Sequence, residues 1–430
     1  MGILSINHPD IVDFIKAKTQ EGFLTNFNIS ITVTDEFINA VKNDGTFKLV
    51  NPRTKETVKE VNAREVWRLI VENAWKTGDP GMIFIEEINR HNPTPHVGKI
   101  ESTNPCGEQP LLPYESCNLG SINLAKMVRN SEIDWEKLRN TIHKTVHFLD
   151  NVITANKYPL QQIKKITYAN RKIGLGVMGL ADLLVQLKIP YDSEQALVTG
   201  EKIMRFVKDE GHKKSIELGE TRGSFPNFKG SIWEQKGYRA MRNATVTTVA
   251  PTGTISVIAG CSSGIEPLFA IAFIRNVMDG THLLEVNPYF EKVSKERGFY
   301  SKELIEKVST LGSIKILQEI PDDVKRIFIT AHDVEPKWHV RMQAAFQKYT
   351  DNAVSKTVNL PHNATIKDVD EVFRLAYELK CKGITVYRYG SKKEQVLYIG
   401  SMELDKTATQ IVSADSEYAG GCPTPYCPWN

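Results

Sequence analysis

The 430-residue sequence contains no run of 18 apolar residues, and its start, Met1 to Pro9, has no basic segment leading into an apolar one. A membrane-spanning helix and a secretory signal are therefore not expected, and the chain is expected to be cytoplasmic. Charge of one sign is scarce as well. With 54 Lys+Arg against 51 Asp+Glu the formal net charge is +3, and no local basic cluster stands out, so no direct nucleic-acid surface is expected. Cysteine is rare: six residues cannot make a disulfide scaffold, and in a reducing compartment each is a buried small residue, a ligand or a reagent. There is no internal repeat and no low-complexity tract. What is present is average for a globular protein, 41% hydrophobic and 24% charged, so a packed core is expected. The length exceeds the usual single-core limit, although a large α/β barrel can absorb it as one unit.

Strand and helix patterns alternate along the chain. Ile11, Phe14 and Ile15 form a first helical stripe after Pro9; Phe27, Ile29, Ile31 and Val33 alternate as a strand, and Thr34 caps a helix carrying Phe37, Ile38 and Val41. A hairpin is predicted over Phe47 to Val61. Asn62 with Glu65 makes a capping pattern for a helix ending at Gly78, Met82 to Ile85 is a buried strand, and residues 89 to 98 are a loop. Leu138, Ile142, Val146, Leu149 and Ile153 mark a long helix, and further strands are predicted at Thr245 to Val249, Ser355 to Leu360 and Ile384 to Tyr387. This order predicts a mostly parallel α/β architecture with chemistry at the carboxyl ends of strands. The domain content is residues 1–400, followed by a Ser-, Thr-, Gly- and Pro-rich tail over 401–430 that is expected to be mobile and ends in the pair Cys422 and Cys427.

Four constellations could carry chemistry. Gly174-Leu-Gly176-Val-Met-Gly179 has the spacing of a dinucleotide fingerprint, but only Arg171 to Ile173 precede it where a full strand is needed, so tight backbone packing is expected instead. His143 and His147 share a helix face without the adjacent Glu of a metalloprotease, and a solvated face rather than a metal site is expected. The segment Asn243 to Ser256 is a strand followed by a hydroxyl-rich turn at Pro251, Thr252, Gly253, Thr254 and Ile255. Its successive N–H groups, with the hydroxyls of Thr252, Thr254 and Ser256, suit a phosphate, the alternative being an ordinary strand-to-helix turn, with a helix starting near Val257. The densest cluster is Asn104-Pro105-Cys106-Gly107-Glu108. An amide, a thiol and a carboxylate at alternate positions project to one side of an extended segment and could meet in one small-molecule pocket, with Cys117 near enough in sequence to join them. A structural thiol in a turn is the alternative.

These residues resemble a known family. Asn104 to Glu108 followed by Glu115-Ser-Cys117-Asn-Leu-Gly is similar to the finger loop of ribonucleotide reductase large chains, as are Arg171 to Asp182, Ala250 to Ser256, Gly264 to Pro267, Ser355 to Pro361 and Lys382 to Arg388, in family order. The resemblance implies a ten-stranded α/β barrel with the finger loop threaded through its centre. It implies that Cys106 becomes a thiyl radical and removes the ribose 3′ hydrogen, that Glu108 takes the 3′-hydroxyl proton, and that Asn104 holds the ribose. Cys117 is then one of two cysteines that end as a disulfide, Pro251 to Ile255 cradle the substrate phosphates, and Cys422 and Cys427 pass electrons from a thioredoxin-like reductant. A degenerate zinc knuckle is the alternative for the tail pair.

Thr385-Val-Tyr387-Arg388 stands where the oxygen-dependent class has adjacent tyrosines, and arginine replaces one of them. The motif wording is closest to the adenosylcobalamin-dependent class, which makes adenosylcobalamin the expected cofactor and ribonucleoside diphosphates the expected substrates. The resemblance implies a second redox cysteine and further barrel strands well upstream of the finger loop; the first cysteine here is Cys106, so these are expected to lie outside this sequence. The expectation is the C-terminal part of a split enzyme working with a separate N-terminal chain, or a fragment of a longer product; a non-catalytic nucleotide-binding or assembly half is the competing reading, and a glycyl-radical enzyme ranks third.

Overall fold

The computed structural model describes residues 1–19, 24, 26–277 and 281–391. Its largest sheet has five strands in the order Gly2–Ser5, Ile29–Val33, Gly81–Phe84, Gly383–Arg388 and Thr357–Leu360. All neighbours run parallel except Gly81–Phe84 against Gly383–Arg388, which are antiparallel. A second parallel pair joins Asn118–Asn123 to Ile173–Met178. The architecture is α/β, as expected. Among the described residues no closed barrel forms and ten strands are not assembled into one sheet.

Local signals set the helix ends. The Thr34 and Asn62 side chains accept from the N–H groups of Phe37 and Glu65, as their spacing predicts, and Gly78 closes the helix Ala63–Thr77 at φ +78°. The long helix Trp135–Ala155 buries Leu138, Ile142, Val146, Leu149 and Ile153 against the strand Ile173–Met178 and the helix Glu194–Arg222. A separate apolar core covers the five-stranded sheet with Phe37, Trp67, Ile70 and Phe373.

Three expectations are corrected. Thr245 to Val249 makes only isolated bridges, Thr247 to Leu175 and Val249 to Val354, because Asp351 Oδ2 takes the N–H groups of Val246 and Thr247 that a ladder would use. The stretch after Met82 is strand only through Phe84; Ile85–Arg90 is a short helix that runs into the predicted loop. The turn after Pro251 is already helical from Gly253 to Ala259, earlier than Val257.

Candidate active site

Ser102–Thr103 and Pro110–Leu111 pair antiparallel and present residues 104 to 109 as a hairpin loop. The loop is a tight turn, not the extended segment expected. Gly107 N–H donates to the Asn104 carbonyl at 3.0 Å, and Gln109 N–H donates to Asn104 Oδ1 at 3.0 Å. Gly107 sits at φ +79°, a conformation that costs a residue with a Cβ about 1–2 kcal/mol. The base of the loop is pinned from two other segments: the Glu108 carbonyl accepts from Ala353 N–H at 3.0 Å and from Thr248 Oγ1 at 2.9 Å.

The turn leaves Cys106 half-buried at the tip and buries Glu108 beneath it. Burial, reinforced by the Glu108 carboxyl, pushes the Cys106 thiol up to about 12. Burial likewise raises the Glu108 carboxyl, against the opposing hydrogen bonds from the Asn104 side chain and Glu108's own backbone. Glu108 Oε2 is buried without a hydrogen-bond partner among the described residues. An unpaired buried polar atom costs about 1–3 kcal/mol, a cost relieved when a ligand hydroxyl donates to it. Cys117 is raised by burial as well, with Lys172 opposing and Glu115 and Glu108 adding to the shift. The Glu108 charge thus reaches both sulfurs, and the structure brings Asn104, Cys106, Glu108 and Cys117 into one neighbourhood. Both cysteines are free thiols.

The Cys106 tip faces a cavity. Its lining includes Thr103, Pro105, Cys106 and Gly107 of the hairpin, Met82, Ile83, Gly383, Ile384 and Thr385 of the five-stranded sheet, and the polar residues Gln343, Lys356 and Lys382. The three polar residues were not singled out in the sequence, although both lysines lie in strings shared with the family. Lys382 Nζ donates to the Asp351 carbonyl at 2.8 Å and to that of Asn352, which holds the segment leading to Ala353 and so to Glu108; burial pulls this amine down to about 8. Lys356, also pulled down by burial with Glu266 opposing, contacts Glu266, His339 Nδ1 at 2.9 Å and its neighbour's carbonyl at 2.9 Å. Arg388 does not line the cavity; it stacks on Trp75 at 4.3 Å and donates to the Trp75 carbonyl at 3.0 Å.

The Pro251 to Ile255 bend is close to this loop. Thr248, bonded to Glu108, is three residues from Pro251, and three residues reach at most about 11 Å. The bend supplies the start of the helix Gly253–Ala259, with Thr252 at φ +59°. Two of its three expected hydroxyls are committed inward: Thr252 Oγ1 accepts from Gly264 N–H at 2.7 Å, and Ser256 Oγ donates to the Gly253 carbonyl at 3.0 Å. Thr254 and Ile255 are exposed, while Pro251 and Gly253 are half-buried.

The remaining candidates fall elsewhere. Gly174 and Gly176 lie inside a fully buried strand, and a Cβ on Gly176 would sit 2.1 Å from the Thr248 carbonyl oxygen, which is the tight packing expected. His143 contacts Glu210 at 3.0 Å while His147 meets Arg222 at 2.8 Å, so the two rings have separate partners. Among the described residues no group of three or more His, Cys, Asp or Glu could hold a metal ion, and no helix is long and apolar enough to cross a membrane. Cys422 and Cys427 lie outside the described residues.

A thiol-tipped hairpin loop with a buried carboxylate two residues on, in a fold that pairs a five-stranded sheet with a separate parallel strand pair, defines an α/β protein with a cysteine at its candidate site. Residues 1–387 match the family described as ribonucleotide reductase, barrel domain, and the chain belongs to that family. It is 54% identical, over 99% of its length, to a vitamin B12-dependent ribonucleoside-diphosphate reductase of Thermoplasma acidophilum, covering 57% of that protein. A Mycobacterium tuberculosis protein of the same description is 49% identical over 98% of the chain, which covers 60% of it. The chain therefore spans about three-fifths of these relatives. The Actinobacillus ureae class Id ribonucleotide reductase alpha subunit shares the fold, with a TM-score of 0.73 over 90% of this chain and 70% of that one at 23% identity.

Proposed function

We propose that the protein reduces ribonucleotides, as diphosphates, to 2′-deoxyribonucleotides by a thiyl-radical mechanism. The observation that carries this reading is a thiol, Cys106, at the tip of a loop pinned through Thr248 and Ala353, two residues from a buried carboxylate with an unpaired oxygen, Glu108. A residue that exchanges a hydrogen atom must carry that hydrogen at working pH, and burial with the nearby Glu108 carboxyl favours the protonated Cys106 thiol. In this reading the Cys106 radical takes the ribose 3′ hydrogen, Glu108 accepts the 3′-hydroxyl proton, and Asn104 with the loop residues Pro105 and Gly107 orients the sugar. The free N–H groups of Gly253, Thr254 and Ile255 at the helix start, with Pro251 and Thr252 shaping the bend, hold the phosphates. Cys117 delivers reducing electrons and Cys422 with Cys427 passes them on from a thioredoxin-like reductant. The partner thiol of Cys117 and the remaining strands of a ten-stranded barrel come from polypeptide corresponding to the part of the relatives that this chain does not span, supplied as a separate reductase chain or as the rest of a longer one.

The cofactor in this reading is adenosylcobalamin. The residues that would hold its adenosyl portion are those lining the cavity with Cys106, among them Gly107, Gly383, Thr385 and Gln343, whose Oε1 is buried without a partner among the described residues and is open to a ligand donor. When bound, the cofactor supplies a carbon-centred radical able to take the hydrogen of a thiol. The chain's own part is to keep that thiol protonated and to hold Glu108 in place through Thr248 and Ala353. The test is anaerobic turnover of nucleoside diphosphates with adenosylcobalamin and a dithiol, with and without a polypeptide matching the N-terminal part of the relatives. Deoxynucleotide formed by the native sequence and lost in Cys106→Ser supports the reading. Equal product from the Ser variant refutes it, and no product from any combination favours a non-catalytic assembly role.

A further inference from the structure

Cys117 immediately precedes the strand Asn118–Asn123, whose parallel partner sets Asn118 opposite Ile173. One step back along both chains places Cys117 beside Lys172, on strands that run about 4.8 Å apart. The Lys172 side chain is 1% exposed, and its ammonium donates to Glu115 Oε2 at 2.7 Å. Glu115 is enclosed too: Oε1 accepts from Asn170 Nδ2 at 2.6 Å, and Oε2 accepts from Leu112 N–H at 2.9 Å. A complete ion pair is therefore shut away from water within two residues of a thiol. Such a pair gives little stability over apolar packing of the same volume, so its presence beside a sulfur calls for another reason. Electrostatics supplies one, since Lys172 is the charge that favours a Cys117 thiolate while Glu115 and Glu108 oppose it.

We propose that Lys172, aimed by Glu115, is a positioning residue for sulfur exchange at Cys117, its ammonium stabilising the Cys117 thiolate. This rests on the redox role proposed for Cys117. In the exchange an external dithiol attacks a disulfide that includes Cys117. Two S–S bonds are made in turn, first the mixed disulfide and then the dithiol's own. The electron pair of each broken bond leaves on a protein sulfur, and the dithiol's two protons end on the two protein thiols. The thiolate is the leaving group in that sequence and the nucleophile in its reverse, so an adjacent buried ammonium accelerates both directions.

The test follows alkylation of Cys117 by iodoacetamide in the full chain from pH 7 to 10, read by mass spectrometry on the peptide that contains it. Lys172→Met should slow alkylation at pH 9 by about tenfold, the equivalent of one pKa unit, and Lys172→Arg should restore it. Glu115→Gln should speed it, because a repelling charge is removed while the ammonium stays. A merely structural role would shift both neutral variants in the same direction, by loosening the site and exposing the sulfur. A circular-dichroism melt identifies any variant that has unfolded; should Lys172→Met do so, the Glu115→Gln and Lys172→Arg profiles decide. An unchanged or slower Glu115→Gln profile, or a folded Lys172→Met as fast as the native sequence, overturns the proposal. No turnover is measured, so that result would leave the reductase reading standing.

Discussion

Replacing Gly176 by alanine is the sharpest test of how the site is held. The added Cβ would lie 2.1 Å from the Thr248 carbonyl oxygen, 3.1 Å from its carbonyl carbon and 3.2 Å from the Val249 Cα. Ordinary contact begins at 3.4 Å, so one chain must retreat by more than 1 Å. Neither can do so freely. The opposing atoms are backbone, and the two segments are tied by Leu175 N–H to Val246 O at 2.7 Å and by Thr248 N–H to Leu175 O at 3.1 Å. Overpacking a core costs about 1–3 kcal/mol, and a backbone clash belongs at the top of that range, so a loss of about 3 kcal/mol is expected. The damage should also reach the loop, because Thr248 Oγ1 holds the Glu108 carbonyl. Urea unfolding followed by tryptophan fluorescence measures the first effect. Gly45→Ala is the control: its Cβ would meet nothing closer than 3.7 Å and its φ is not left-handed, so a gain of about 0.4–1 kcal/mol is expected there. A Gly176→Ala protein within about 0.5 kcal/mol of the native one, the range of inconsequential substitutions, would refute the packing argument. Preserved stability with loss of binding to a dinucleotide would reinstate the fingerprint reading.

Other outcomes follow from the same geometry. Cys106, raised to about 12 by burial and by Glu108, should resist iodoacetamide at pH 8, and Glu108→Gln should make it more reactive at that pH; rapid native alkylation would contradict the protonated-thiol assignment. Asp150→Ala strips the buried Arg171 guanidinium of bonds at 2.9 and 2.7 Å, and leaving such a charge unpaired should cost about 3–5 kcal/mol in urea unfolding. Burial alone would raise the Asp351 carboxyl, but His212 at 2.9 Å, the Lys208 charge and the Val246 N–H hold it well below the usual carboxylate range. A carboxyl depressed in the fold adds stability above its unfolded value of about 3.9 and loses it as the pH falls further. Thermal melts between pH 2 and 6 should therefore show a smaller acid-dependent loss in Asp351→Asn than in the native chain.

Much of the site was legible in the residues. Alternation and capping located the strand Ile29–Val33 and the helices that start after Thr34 and Asn62, since a cap and the N–H it satisfies are three residues apart and need no distant partner. The Asn104 to Glu108 cluster stood out because an amide, a thiol and a carboxylate fall within five residues. Its shape did not, because an alternating pattern cannot show that the Asn104 side chain and carbonyl would both be used to close a turn.

What the linear order determined, then, is the set of chemical groups and the short elements that carry them: a sulfur at 106, a carboxylate at 108, a second sulfur at 117 and a glycine-rich strand after 172. The tertiary structure alone decided which of them act together. Lys382 lines the Cys106 cavity and braces the loop through the carbonyls of Asp351 and Asn352, Thr248 does so while lying across Gly176, and the Lys172 charge acts on Cys117 because strands whose paired residues are 55 apart in sequence lie side by side. Those contacts depend on strand order and on the depth at which each charge is buried, quantities set by the packing of distant segments and therefore invisible to any local pattern.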